Sequence, residues 1–242
     1  MDSNHAPYDW LASFGRLDAI LATPSGNYEE RDSLPDRDRL TYTNGFYANC
    51  SALFIDIRDS SALPKKYNRP ALAKVYRAFI SELVAIMNGH PKAREINIVG
   101  DCVWGVFNTP LKTDIDSVFA CAFAANSMIK TLGFKMQKAG YESPIRAGIG
   151  MAWGRALMIK AGQSGSGISD VVYMGEVVNR AAHLASYGGK GYPGHELMVD
   201  DVFRGNLSDA NQGLLSWNSA RSCWSGSVVS TAMDAWHTEN CR

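Results

Sequence analysis

The sequence predicts an α+β fold: a mainly antiparallel sheet with helices packed on it, in the βαββαβ order of a ferredoxin-like sandwich. Three observations carry this. Short β-prone runs (50–57, 93–107 and 145–160) alternate with two long stretches of helical periodicity (70–87 and 114–139). Gly100-Asp101 splits the middle run where a tight hairpin turn belongs, because glycine tolerates positive φ. The whole order is complete before residue 160.

The elements follow in order. Tyr8–Leu21 spaces Leu11, Phe14, Leu17, Ile20 and Leu21 as one face of an amphipathic helix, suited to packing or to a dimer contact. Thr23–Arg39 is rich in Pro, Gly, Ser and charge and reads as an irregular connector. The chain thus divides into an N-terminal helix and connector (1–45) and a main domain (46–242). A strand over Cys50–Ile57 opens the domain. A helix from Pro70 to Met87 follows, with proline in its first turn and Leu72, Val75, Phe79, Leu83 and Ile86 on one face. After the hairpin, Asp114 and Asp116 suit the start of a second helix that runs to Ala139. Ile145–Trp153 and Arg155–Lys160 read as a strand pair joined near Gly154, and Gln163–Asp170 as a Gly/Ser-rich loop. Gly175–Tyr187 is a helix with Val178, Ala181, Ala182 and Ala185 inward, closed by Gly188-Gly189-Lys190-Gly191. Leu197–Val199 is a short strand, Asp200 a cap for a helical turn, and Trp217–Ala235 the source of closing strands.

Composition narrows the function. The 242 residues hold 24 Lys plus Arg and 24 Asp plus Glu, so bulk charge favours neither nucleic acid nor an anionic membrane. Met1–Trp10 lacks the basic start and apolar run of a signal peptide, and Val118–Ile129 is too short an apolar window to span a bilayer. Five widely spaced cysteines without a CxxC pair fit reduced thiols in a cytoplasm.

Asp56 and Asp101 are strand-borne carboxylates and suggest a site for hard divalent cations. Four segments then align with one family. Leu53-Phe54-Ile55-Asp56-Ile57-Arg58-Asp59-Ser60-Ser61 resembles the metal-binding strand and loop of class III nucleotidyl cyclases, and Asn97-Ile98-Val99-Gly100-Asp101 their second metal-binding segment. Residues 145–154 are similar to the family's Gly-rich strand, and Tyr173–Ala182 to its Gly-x-x-Val-Asn-x-Ala helix. The resemblance spans about residues 46–200 and implies two divalent ions per site, Mn²⁺ or Mg²⁺, on Asp56, Asp101 and the Ile57 carbonyl. It also implies a head-to-tail homodimer whose active sites lie at the subunit interface. There Asn179 from one chain orients the ribose of a nucleoside triphosphate held by the other. Phe54, Arg58, Asp59, Ser60 and Ser61 fall in the substrate-binding loop, with backbone N–H groups from Arg58 to Ser61 suited to cupping phosphates.

Departures from the family narrow the expectation further. His183 stands where the family has a transition-state arginine, and it lacks arginine's fork of donors. Trp224-Ser225-Gly226 occupies the region of an expected lysine, leaving Arg58, Arg155 and Arg221 as candidate substitutes, each read as a surface charge. In the base pocket, Asn97 and Val172 replace the charged pair of purine cyclases, with Val99 nearby. An asparagine amide pairs with uracil or, flipped, with cytosine. The pattern resembles bacterial pyrimidine cyclases that signal phage infection. The expectation is therefore a cytoplasmic enzyme converting UTP to cyclic UMP and pyrophosphate, with a separate effector that binds the product. CTP, a purine nucleotide, and a catalytically inactive nucleotide-binding module are the alternatives, in that order.

Overall fold

The computed structural model describes residue 3 and residues 5–142, 144–191 and 194–241. Met1, Asp2 and Asn4, part of the stretch read as lacking a signal peptide, lie outside the described residues.

Two long strands form the spine: β2 (Gly45–Ile57) and β5 (Ala147–Gly162) pair antiparallel along their whole length, from Gly45 opposite Ile159 to Ile57 opposite Ala147. The hairpin strands β3 (Ala93–Val99) and β4 (Cys102–Phe107) extend the sheet beyond β2. On the other side come β7 (Leu197–Val199), β9 (Cys223–Gly226) and β8 (Ser216–Asn218). The far ends of the spine pair with β1 (Tyr28–Arg31), parallel to β2, and with β6 (Ser169–Met174), antiparallel to β5. The expected βαββαβ core is present as β2-α3-β3-β4-α4-β5, with α3 at Arg69–Asn88 and α4 at Lys112–Lys138.

Alternation along β2 explains the layers. Leu53, Ile55 and Ile57 point to a core shared with Val75, Phe79 and Leu83 of α3 and Ile115, Phe119 and Ala122 of α4. Phe46, Ala48, Cys50, Ala52 and Phe54 point to the opposite face, where α5 (Glu176–Tyr187) lies with Val177, Val178, Ala181 and Ala185. Helices therefore cover both faces. α3 starts at a cap in which Asn68 accepts from the Ala71 N–H at 2.9 Å, with proline in its first turn. Half of the apolar stretch of α4, which is long enough to cross a membrane by length and composition alone, is packed inside the domain.

Several local readings change. β5 runs straight through Gly154, so the expected strand pair is one strand, Ala147–Gly162. Gly154 lies in mid-strand opposite Cys50, with Val177 of α5 at ordinary contact distance from its ideal Cβ, and makes no turn. The turn falls instead at Gln163–Ile168, joining β5 to β6. Asp116 takes the Ser208 N–H and the Asn211 amide, leaving Asp114 at the start of α4. Residues 231–240 form a helix, α8, where a closing strand was expected. Three short helices, α2 (Leu63–Lys66), α6 (Asp201–Gly205) and α7 (Asp209–Gln212), complete the set. The connector contributes β1 and buries Leu34 and Leu40 in the α5-side core, while α1 (Trp10–Leu21) buries none of its residues.

Candidate active site

Asp56 sits one residue before the end of β2, opposite Cys102 of β4 and Gly148 of β5. The β3–β4 hairpin turns on two residues, with Gly100 at φ 63°, and this places Asp101 next to the β2 end. The two carboxyl groups lie within hydrogen-bonding reach of each other. Burial pushes the Asp56 carboxyl above its ordinary value, and Asp101 pushes it further; Arg58 and Lys190 pull it back. Two facing, partly desolvated carboxylates disfavour both being charged at once, and a cation between them would offset that repulsion. Among the described residues no third His, Cys, Asp or Glu joins them. That suits a hard ion completed by substrate oxygens, and so the pair fits the divalent ions the resemblance implies.

Arg58 proves to be a buried charge, with 3% of its side chain exposed, and not a surface one. Its Nη2 donates to Asp56 Oδ2 at 2.9 Å, and its Nη1 to the Ser186 carbonyl in the last turn of α5, also at 2.9 Å. A cation there is favoured by the negative end of the helix dipole. The Arg58 N–H is spent on the Arg146 carbonyl at 2.8 Å, so the expected phosphate cup begins at Asp59. Asp59 takes φ 56°, turning the chain sharply into a 3-10 turn at Ser60–Ala62, and its carboxylate pairs with Arg146 at 3.2 Å.

α5 is seated by missing side chains. A Cβ at Gly150 would lie 2.2 Å from Ala181 O and Ala185 N, and one at Gly148 2.2 Å from Ala185 O. With that face buried, Asn179 and His183 are turned to solvent on a shallow surface shared with Gly175, Glu176 and Arg180. None of the residues lining this surface belongs to the Asp56–Asp101 pair. Asn179 and His183 therefore lie on a surface separate from the carboxylate pair of the same chain. The proposed substitutes are engaged elsewhere: Arg155 with Glu30 and the Tyr47 carbonyl, Arg221 over the Tyr187 ring.

Asn97 stands opposite Trp104, on the α5 side of the sheet, where Trp104 stacks on Phe54 at 4.8 Å and 6°. Its Nδ2, like Glu95 Oε2 two residues earlier on the same side, is buried without a hydrogen-bond partner among the described residues. Val172 does not join them. It pairs with Ile159, and alternation gives the α5 side of β6 to Val171 and Tyr173. Val99 is exposed at the hairpin end, opposite Cys102. Trp104, Tyr173, Glu95 and Lys190 were missed in the sequence. Pairing Asn97 across the hairpin finds Trp104 and strand alternation finds Glu95, but Tyr173 and Lys190 arrive only through tertiary packing.

Paired carboxylates at strand and hairpin, an asparagine on α5 and a sheet of this order define a class III nucleotidyl cyclase. Residues 43–192 match the family model for the adenylate and guanylate cyclase catalytic domain, and the chain belongs to that family. It is a nucleotidyl cyclase by this domain and by its relatives. It is 44% identical over 205 residues to a uridylate cyclase of Gulbenkiania mobilis, covering 82% of this chain and 79% of that one. It is 36% identical over 211 residues to a uridylate cyclase of Treponema porcinum, covering 86% and 72%. In fold it is similar to a class III adenylyl cyclase-like ATP-binding protein from Pseudomonas aeruginosa, with a TM-score of 0.71 and 18% identity. That match covers 92% of this chain, which spans about half (48%) of the Pseudomonas chain.

Proposed function

We propose that the enzyme converts UTP to 3′,5′-cyclic UMP and pyrophosphate in a composite site built by two copies of the chain. The ribose 3′-oxygen attacks the α-phosphorus, the bond to the bridging oxygen breaks, pyrophosphate leaves, and the hydroxyl proton passes to solvent. Asp56, Asp101 and the Ile57 carbonyl would hold the divalent ions, which when bound would supply acidification of that hydroxyl and charge neutralisation. Arg58 fixes the Asp56 carboxylate by a direct ion pair. Backbone N–H groups from Asp59 to Ser61 receive the phosphates as the chain turns into its helical run. Asn179 of the partner subunit orients the ribose, which holds the 3′-oxygen near its attack position, and His183 beside it donates one ring hydrogen to the developing charge.

The observation that carries the base assignment is the unsatisfied Asn97 amide beside the Phe54–Trp104 stack. An apolar aromatic wall with one donor–acceptor group suits a small pyrimidine ring. The names of the two relatives favour uracil over cytosine. A role for cyclic UMP as an anti-phage signal, read by a separate effector in the cytoplasm, extends the same reading. Incubation with ATP, GTP, CTP and UTP plus Mn²⁺, with products read by mass spectrometry, tests it. Cyclic UMP as the dominant product is expected. A cyclic purine would overturn the base pocket, and nucleotide binding without any product would make the chain a regulatory module.

A further inference from the structure

Resting on the cyclase reading, we infer that Lys190 is a phosphate-binding residue of the metal half-site, supplied by the same chain as Asp56 and Asp101. The turn after α5 carries it there. Gly188 crosses directly over Gly148, with 2.8 Å between its ideal Cβ and the Gly148 Cα, and Gly148 is the cross-strand neighbour of Asp56. Gly189 packs on the Arg58 side chain, its ideal Cβ 3.6 Å from Arg58 Cγ. Gly189 and Gly191 take φ 70° and 74°, a conformation that glycine adopts without strain, so the backbone reverses on either side of Lys190. The turn is pinned by Gly189 N–H to His195 O at 2.7 Å and Lys190 N–H to Tyr187 O at 3.1 Å.

The side chain itself is exposed and makes no ion pair among the described residues, and the turn that carries it packs on Gly148, the neighbour of Asp56, and on Arg58. Charge balance gives it a task. Two divalent ions roughly cancel a bound triphosphate, leaving the two aspartates uncompensated. Arg58 answers one, and the exposed Lys190 is placed to answer the other and the departing pyrophosphate. The three arginines considered as substitutes all have partners in the chain.

The test uses inorganic pyrophosphate with Mn²⁺, so that it does not depend on turnover. By calorimetry, Lys190→Met should weaken pyrophosphate binding in the presence of Mn²⁺ about tenfold or more, the value of one charge-assisted contact. Mn²⁺ binding alone should not change, and Lys190→Arg should bind within about threefold of the parent. With UTP, Lys190→Met should raise KM more than it lowers kcat. Unchanged pyrophosphate binding in Lys190→Met would overturn the inference, and so would loss of Mn²⁺ binding by that variant alone. If the parent made no cyclic nucleotide yet bound pyrophosphate through Lys190, the cyclase reading would fall and this inference would stand.

Discussion

At Asp56 two unfavourable effects, burial and a neighbouring carboxylate, act on one acidic group. Its carboxyl titrates above the ordinary range, so its contribution favours the fold at acid pH and is lost as pH rises through the raised value. At neutral pH the facing carboxylates therefore oppose the fold, and a divalent ion bound by them, as proposed, would relieve that opposition. Asp101→Asn should keep or raise the thermal midpoint of the metal-free protein near neutral pH, abolish the rise produced by Mn²⁺, and reduce turnover roughly 100-fold or more. A large fall in the metal-free midpoint would contradict the pairing. Asp200 offers a second pH test. It caps α6 by accepting the Phe203 N–H at 2.7 Å, and burial raises its carboxyl from 3.8 to about 6. Its contribution to stability is present near pH 4 and is lost as pH rises through about 6. Asparagine caps equally well without a charge. Urea titrations should show Asp200→Asn more stable relative to the parent near about pH 8 than near about pH 4; the same difference at both would refute the shift.

At the scale of elements, the fit of α5 onto β5 governs the second half-site. Because a Cβ at Gly150 would strike the α5 backbone at two atoms, Gly150→Ala should cost on the order of 1–3 kcal/mol. It should also displace Asn179 and lower kcat beyond what stability explains. Full activity in that variant would show that the helix seat is not tight. Much of this level was legible in the sequence, because period and turn chemistry are local. The core order, the Gly100-Asp101 hairpin and the Asp200 cap all follow from residues close in the chain. What was not legible depends on distant partners. Gly154 looked like a turn because glycine is a local breaker signal, whereas the pairing with Cys50 that keeps it in the strand comes from a distant part of the chain. Arg58 looked exposed because Asp56 and Ser186 close around it only in the fold. Val172 was assigned to the base pocket by position, and the β5–β6 register, which shows its side, is a tertiary fact.

For the whole molecule, the proposed composite site requires that neither half be sufficient alone. Asp56 and Asp101 gather at one end of the spine, while Asn179 and His183 face outward on a surface that does not include them. In a head-to-tail pair each chain would lend its α5 face to the other's metals. The Arg58 link to Ser186 then ties the carboxylate of one site to the helix that serves the other. The most direct measurement is to mix two inactive proteins, Asp56→Ala and Asn179→Ala, under conditions of proven subunit exchange and to assay cyclic nucleotide formation. The composite site predicts recovery of one intact site per heterodimer, about a quarter of parental activity at statistical mixing. No recovery despite exchange would show that each chain carries its own complete site, and the two-chain account would be wrong.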